Sequence, residues 1–248
     1  MTKEKNIERF NIDVHHNLGY KYTAGAGISS QLSNARISQE VRSIASLKGR
    51  KVIDVGCGDG TYTMELEDDD PAFILGVDAA DAAVVAAREK SAHSKITSFK
   101  TVSVYDLSSI GEHFDVAIVR GLLHHLYEPH RAIAEICNIA DEIIVIEPNG
   151  YNPILKLIEK TSSYHIAHEE KSYSPHCLRW WFGQEKGQLV SSRYIGLVPF
   201  FCPDFIAKVL KAIEPIFEAI PLVRTISCGQ YVQHIKIQKH IGGQKILT

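Results

Sequence analysis

Short apolar runs alternate along the chain with longer stretches in which apolar residues recur at helical spacing. The runs that predict strands are 52–55, 73–78, 101–104, 114–119 and 142–149. Their nearly continuous apolar character is typical of parallel strands buried on both faces. Helical stretches follow at 61–66, 79–90 and 131–139. This alternation predicts an α/β fold, with a doubly wound sheet formed by a core of residues 49–150.

Two further regions flank this core. Residues 1–48 contain a glycine break and then helical spacing from 29 to 47, which predicts a helix on the domain edge. An alternative is that 20–27 forms a lid. Residues 151–248 differ in composition and include 203–221, whose apolar residues recur at helical spacing. The apolar face of 203–221 is expected to be buried on its own domain. Alternatively, it covers the substrate, forms a dimer surface or contacts a membrane surface.

Composition and charge describe an ordinary soluble globular protein. Lys+Arg 27 against Asp+Glu 29 gives a formal charge of -2, so no broad electrostatic footprint for nucleic acid is expected. No apolar run approaches the ~20 residues that span a bilayer, and the charged amino terminus does not resemble a secretory signal. Five cysteines without CxxC spacing favour free thiols in a reducing compartment, and we expect a cytoplasmic protein.

The segment Lys51–Gly60, KVIDVGCGDG, carries the clearest chemical signal. A strand runs into three glycines at alternate positions, and a helix follows. Such a turn brings backbone N–H groups close to a ligand. The spacing is G-x-G-x-G, not the G-x-G-x-x-G of dinucleotide-binding proteins. About 20 residues later, Asp78 ends the second strand, where a carboxylate can reach the hydroxyls of a ribose; as an alternative it caps the next helix.

Three more segments complete a recognisable series. The fourth strand begins Phe114-Asp115, the segment Leu123–Leu126 reads LHHL, and the fifth strand ends in Glu147-Pro148-Asn149. Together with the glycine turn and Asp78, this series resembles the class I S-adenosylmethionine-dependent methyltransferases, of the type 11/12-like Rossmann group. The resemblance covers about residues 45–150 and is weaker beyond them.

The resemblance implies a fold, a cofactor and a set of cofactor-binding residues. It implies a Rossmann-like sheet, mostly parallel with an antiparallel last strand, in which 190–201 and 230–238 are the final strands and a helical cap covers the substrate side. The cofactor would be S-adenosylmethionine, converted to S-adenosylhomocysteine. The predicted cofactor-binding residues are Asp54, Gly56, Cys57, Gly58, Asp59, Gly60, Asp78, Ala79, Val104, Tyr105, Asp106, Arg120 and Tyr22. For the adenine amine, Ser103 is an alternative to Asp106.

Histidines are the candidates for the chemistry on the substrate side. His124 and His125 follow the fourth strand and are the candidates to touch the substrate or act as a base; the other interpretation, which we favour from the sequence, is that they orient the loop or the cofactor. Asn149, His165 and His168 are predicted substrate residues. His165 and His168 stand in an H-x-x-H-E-E segment, but the zinc-protease order needs Glu directly after the first His, so no metal site is expected.

The sequence thus predicts an enzyme that moves a methyl group to an O, N or C atom of a small-molecule or lipid-like acceptor. A homodimer through 203–221 is a further expectation. Two other classes remain open. One is a non-catalytic protein that binds S-adenosylmethionine or a partner through 203–221. The other is a nicotinamide-dependent oxidoreductase, which would need the G-x-G-x-x-G turn that is missing here.

Overall fold

The computed structural model describes residues 27–162 and 171–238. Within these residues, seven strands form one sheet in the order β3-β2-β1-β4-β5-β7-β6. The strands are β1 Lys51–Val55, β2 Phe73–Asp78, β3 Thr97–Thr101, β4 Phe114–Arg120, β5 Ala140–Pro148, β6 Gly187–Ile195 and β7 Gln230–Ile237. β7 pairs antiparallel with β5 and β6, and the other neighbours pair in parallel. This is the Rossmann-like sheet that the sequence predicts, with β7 as its antiparallel strand.

Helices follow the strands and cover both faces of the sheet. They are α1 Ile28–Ile44, α2 Thr61–Met64, α3 Asp81–Lys90, α4 Pro129–Ile139, α5 Pro153–Thr161, α6 Pro175–Gln184, α7 Asp204–Ala219 and α8 Pro221–Ser227. Short 3-10 segments occupy Glu65–Asp69, Val104–Ile110 and Leu123–His125. One core packs α4 and α6 on the sheet and includes Phe114, Ile133 and Phe182, while a second core packs α1 on the opposite face through Ile37 and Val41.

The register of the parallel strands aligns their carboxyl ends. Val55 of β1 pairs with Val77 of β2 and with Val119 of β4. The next residue of each strand therefore stands in one row, which consists of Gly56, Asp78 and Arg120. Ligands of open α/β sheets bind beyond such ends. The hydrogen-bond ladder thus brings together residues that are far apart in the sequence.

The predicted third strand at 101–104 is wrong. The strand is Thr97–Thr101, and Val102 leaves the sheet after its N–H has bonded Asp78 O at 3.0 Å. Ser103 then accepts a hydrogen bond from the Tyr105 N–H and caps the following 3-10 segment, which ends the extended backbone. The last two strands also begin or end a few residues from the predicted 190–201 and 230–238.

The expectation that 203–221 buries its apolar face on its own domain is also wrong. The side chains of α7 that point into the protein include Glu214, which is 3% exposed, whereas Phe205 is 77% exposed and Ile216 is 60% exposed. Glu214 Oε2 accepts the Leu197 N–H at 3.0 Å, and Glu218 Oε1 accepts the Gly196 N–H at 2.8 Å. The carboxylates of α7 therefore hold the helix against the protein by accepting hydrogen bonds from backbone N–H groups, and its apolar face points outward.

Within residues 27–162 and 171–238, no helix is both long enough and apolar enough to cross a bilayer. The sequence contains no such run either.

Candidate cofactor and substrate site

A cavity of about 680 Å³ lies beyond the carboxyl ends of β1, β2, β4 and β5. Its floor is made by the glycine turn, Asp78 and Arg120, which the strand register aligns. Its walls come from α1, the 3-10 segment at Leu123–His125, α5 and the loop at 198–201. The volume falls within the ~300–1,000 Å³ range of ligand-binding clefts.

The glycine turn is held by backbone hydrogen bonds and by contacts that leave no room for side chains. The N–H groups of Gly56 and Cys57 donate to Val77 O at 2.8 and 3.0 Å. Gly56 has φ +78°, and a Cβ there would lie 2.9 Å from Leu122 Cδ1. A Cβ on Gly60 would lie 2.7 Å from Phe99 Cζ. Gly60 therefore allows α2 to pack close to β3, and it does not line the cavity.

Asp78 is fixed as a hydrogen-bond acceptor at the end of β2. Its Oδ2 accepts the Gly58 N–H and its Oδ1 accepts the Ala80 N–H, both at 2.9 Å. Burial raises the pKa of Asp78, while the N–H groups of Ala80, Gly58 and Ala79 act in the opposite direction. Each carboxylate oxygen has a second lone pair, so Asp78 can still accept two hydroxyl hydrogen bonds from the cavity. The alternative that Asp78 caps the next helix is wrong, because Ala80 is the N-cap residue of α3 and Asp78 bonds its N–H rather than an N–H of the first helical turn.

A buried polar cluster surrounds Asp54. Thr63 Oγ1 donates to Asp54 Oδ2 at 2.6 Å, and burial raises the pKa of Asp54 to about 6 against the opposing effects of Thr63 and the Arg120 charge. The Arg120 guanidinium lies 3.6 Å from the Tyr62 ring centroid and donates to Asn34 Oδ1 and Ser38 Oγ, each at 3.0 Å. Burial lowers the pKa of Arg120. α1 is thereby attached to the floor of the cavity.

The wall beyond β3 contains Ser103, Val104 and Tyr105. The Tyr105 hydroxyl accepts the Glu128 N–H at 3.2 Å. Asp106 is exposed and does not line the cavity, so its position does not support the predicted contact with the cofactor, whereas the alternative residue Ser103 does line it. The cause is the 3-10 segment, which turns the Asp106 side chain outward, with φ −142° at that residue.

His124 is oriented by a fully buried carboxylate. Glu147 Oε1 accepts the N–H groups of Leu122 and Leu123 at 2.9 and 2.7 Å. Glu147 Oε2 contacts His124 Nδ1 at 2.8 Å and accepts the His124 N–H at 3.2 Å. An ionised carboxylate only accepts, so this contact requires a proton on Nδ1; in that tautomer a neutral ring has its lone pair at Nε2. His124 and His125 both line the cavity, with their ring centroids 3.8 Å apart.

Most of the predicted cofactor residues meet in this cavity. Those that line it are Asp54, Gly56, Cys57, Gly58, Asp59, Asp78, Ala79, Val104, Tyr105 and Arg120. Gly60 and Asp106 do not. Asn149, predicted to contact substrate, is fully buried outside the cavity lining, and its Nδ2 donates to Thr225 O and Cys228 O at 2.9 and 3.0 Å. Asn149 therefore holds the loop after α8 in place. Tyr22, His165 and His168 lie outside the described residues, as does the predicted lid except for Gly27.

Three contacts of the site are not predicted from the sequence. Glu147 is predicted only as a residue at the end of the fifth strand, and its contact with His124 is not; a single carboxylate at the end of an apolar run was the available signal. Asn34 and Ser38, which bind Arg120, are one helical turn apart on the face of α1 that also carries Ile37 and Val41. A polar pair at i and i+4 on an otherwise buried face could have indicated a buried polar partner.

The chemistry of these donors and acceptors fits S-adenosylmethionine. The Asp78 carboxylate would hold the ribose hydroxyls, because a carboxylate accepts charge-assisted or paired hydrogen bonds from a vicinal diol. Asp54 and the close backbone of the glycine turn would hold the charged amino-acid end. Ser103, Val104 and Tyr105 would surround the adenine. Within residues 27–162 and 171–238, no group of three or more His, Cys, Asp and Glu side chains is placed to hold a metal ion.

Comparison with known proteins agrees with this geometry. A family model described as a methyltransferase domain matches residues 46–191, more than half of the chain. A ubiquinone biosynthesis O-methyltransferase of Neisseria meningitidis serogroup C (strain 053442) is 28% identical over 109 residues, which cover 43% of this chain and 43% of that protein. The chain thus matches less than half the length of this relative.

Two solved structures share the fold over nearly the whole chain. The structure of the [4+2]-cyclase SpnF has a TM-score of 0.68 at 17% identity, over 93% of this chain and 94% of that one. Magnesium protoporphyrin IX methyltransferase of Synechocystis PCC 6803, with bound SAH, has a TM-score of 0.67 at 16% identity, over 96% and 100% of the two chains. The chain belongs to the methyltransferase-domain family, and its fold is that of the class I S-adenosylmethionine-dependent methyltransferases.

Proposed function

We propose that this protein transfers a methyl group from S-adenosylmethionine to an O, N or C atom of a small-molecule or lipid-like acceptor. The observation that supports this class of acceptor is the apolar far end of the cavity. Leu155 and Ile158 of α5 line this part of the cavity together with Val198, Pro199 and Phe200 of the loop after β6. An apolar compartment suits a small apolar molecule, because burial of its surface supplies the binding free energy.

Charge supports the same choice of acceptor. The formal charge of -2 gives no excess of lysine and arginine over the whole chain. An enzyme that acts on RNA usually carries a basic face that neutralises phosphates. The five cysteines are free thiols, which supports a reducing compartment and the proposal of a cytoplasmic enzyme.

His124 is the proposed base for an acceptor that carries a proton. Glu147 fixes the tautomer through Nδ1, so the lone pair at Nε2 can take a proton from a hydroxyl or amine in the cavity. Glu147 also stabilises the ring once it is charged, because the carboxylate is 2.8 Å from Nδ1 and fully buried. His125 supports the ring of His124 from the side.

When bound, the cofactor supplies a methyl group already activated on a sulfonium sulfur. The chain then has to position the acceptor and exclude water, and proximity and orientation can supply ~7–11 kcal/mol. The strand-end row provides a rigid floor for this purpose, and α5 covers the acceptor side.

The function is tested first by calorimetric titration with S-adenosylhomocysteine and with NADH. Binding of the former alone supports the proposal, and binding of NADH alone would support an oxidoreductase. Acceptors are then sought by screening hydroxyl- and amine-bearing small molecules and quinone-like lipids with methyl-labelled cofactor. Cofactor binding without transfer to any acceptor across the screen would favour the alternative of a non-catalytic binding protein.

The role of His124 is tested by His124→Asn, with His113→Asn as the matched control. His113 is exposed, contacts Asp141 and lies outside the cavity. We expect kcat with a hydroxyl acceptor to fall about 10²- to 10⁴-fold for His124→Asn, the usual worth of a general base. The affinity for S-adenosylhomocysteine and the activity of His113→Asn should stay near wild type. Equal loss in both variants would contradict the assignment.

A further inference from the structure

Three helices on one side of the molecule expose large apolar side chains that nothing in residues 27–162 and 171–238 covers. Ile154 and Leu157 of α5 are 64% and 62% exposed, and Phe205 and Ile216 of α7 are 77% and 60% exposed. Leu222 and Ile226 of α8 are 83% and 56% exposed. α8 packs against both α5 and α7, so the three helices are neighbours, and these six exposed residues are here called the apolar face. Large apolar side chains that are exposed on neighbouring elements are typical of an interaction site.

The contacts of α7 fix its orientation, so its apolar residues are not exposed merely because the helix is poorly packed on the domain. α7 is anchored through its polar residues: Glu218 forms a two-point contact with Arg36, at 3.1 Å from Nε and 2.8 Å from Nη2. Glu214 and Glu218 also accept backbone N–H groups of Leu197 and Gly196. Rotating the helix to bury Phe205 would leave these carboxylates and backbone donors without partners. The fold therefore holds the apolar face outward.

We infer that the apolar face docks on the surface of an anionic lipid bilayer. Lys160 of α5 and Lys208 of α7 are exposed beside it, and α5 and α8 expose no acidic residue; Asp204, at the start of α7, is the exposed acid of these three helices. Amphipathic helices with lysines beside an apolar face lie in the lipid interface in this way. A two-fold dimer would bring the same patch, with both lysines and the single exposed acid, against itself, so a second copy offers these lysines less opposite charge than an anionic lipid surface does.

The apolar face is continuous with the wall of the cavity. α5 carries Ile154 and Leu157 on its outer side and Leu155 and Ile158 on the cavity side. Phe201 lines the cavity and is 57% exposed. Docking would therefore place the apolar end of the cavity against the lipid phase. This last point rests on the proposed function, because it concerns how a lipid-like acceptor reaches the site; docking itself does not.

The test is co-sedimentation of the full chain with vesicles of phosphatidylcholine alone and of phosphatidylcholine mixed with phosphatidylglycerol. We expect binding to the mixed vesicles that weakens with salt. Phe205→Ser with Leu222→Ser should lower the partition coefficient about tenfold or more. Lys160→Glu with Lys208→Glu should remove the preference for the anionic vesicles. Val85→Ser is the control, because Val85 is a 53% exposed apolar residue of α3, outside the apolar face.

The outcomes separate the two proposals. Melting temperature and S-adenosylhomocysteine affinity should be unchanged in the Phe205→Ser, Leu222→Ser variant, which shows that the variant is folded. Vesicle binding without cofactor binding would refute the proposed function and leave the docking surface standing. No vesicle binding by wild type, or equal binding by this variant, overturns the inference. A wild-type dimer in sedimentation velocity that the same substitutions convert to monomer, without vesicle binding, assigns the face to a second copy.

Discussion

The buried carboxylate of Asp54 should lower the stability of this protein at neutral pH. Asp54 is 6% exposed, and its pKa is raised from 3.8 to about 6, with burial as the largest cause. A carboxyl group whose pKa is higher in the folded state binds protons more tightly when folded. Its contribution to stability is therefore complete at low pH and is lost as the pH rises through the folded-state value.

The perturbation is Asp54→Asn, which removes the charge and keeps an oxygen that can accept the Thr63 hydroxyl. At about 1.4 kcal/mol for each pKa unit, ionisation of Asp54 costs about 3 kcal/mol at pH values well above 6. The free energy of unfolding of Asp54→Asn minus that of wild type should thus rise with pH, mainly between about pH 4 and pH 6.5, and level off above. The variant should also bind S-adenosylhomocysteine more weakly, because the site loses a charge.

The assay is urea unfolding of both proteins, without cofactor, at several pH values from 4 to 8. Asp59→Asn provides a contrast of opposite sign. Against the effect of burial, hydrogen bonds from Lys90 and Thr61 and the Lys90 charge lower the pKa of Asp59, so Asp59 stabilises at neutral pH and its contribution is lost on acidification. A difference for Asp54→Asn that is flat across this range, or that falls with pH, would refute the reasoning.

Two further predictions concern cofactor binding and packing. Asp78→Ala should weaken S-adenosylhomocysteine binding by roughly 1.5–3 kcal/mol in calorimetry, the worth of hydrogen bonds to a charged group, whereas Asp106→Ala, outside the cavity, should bind as wild type; equal affinities would remove Asp78 from the site. Gly60→Ala should lower the melting temperature more than Gly111→Ala does. Both glycines have φ near +70°, but only Gly60 places a new Cβ against Phe99 and Ala87, so similar melting temperatures would show that strain alone matters.

The periodicity of apolar residues and the spacing of the motifs were sufficient to predict the core of the sheet and most of the floor of the cavity. Val55, Val77 and Val119 end apolar runs, and parallel pairing of such runs aligns whatever follows, so the amino-acid sequence alone places Gly56, Asp78 and Arg120 in one site. The residues after β3 could not be placed in this way. The strand ends where Ser103 accepts the hydrogen bond of a backbone N–H, and the pattern of apolar residues does not indicate such a bond.

The side of α7 that faces the protein could not be predicted from the sequence either. Its helical periodicity is clear, but the choice of face depends on backbone donors at Gly196 and Leu197 that only the fold brings to Glu218 and Glu214. The spacing of apolar residues shows which side of a helix is apolar and does not show which side is buried. The same limit applies to Asn149, whose strand-end position indicated the site while its amide serves the loop after α8.

The floor and the walls of the cavity are held by different kinds of contact. The floor is fixed by backbone hydrogen bonds between β1, β2 and β4, and most side-chain substitutions leave these hydrogen bonds unchanged. The walls are attached by individual side chains, such as Asn34 and Ser38 to Arg120. Under the proposed function, substitutions in the walls change which acceptor is accommodated while the binding of the nucleoside is preserved. The same floor can then serve one methyl donor with several different acceptors.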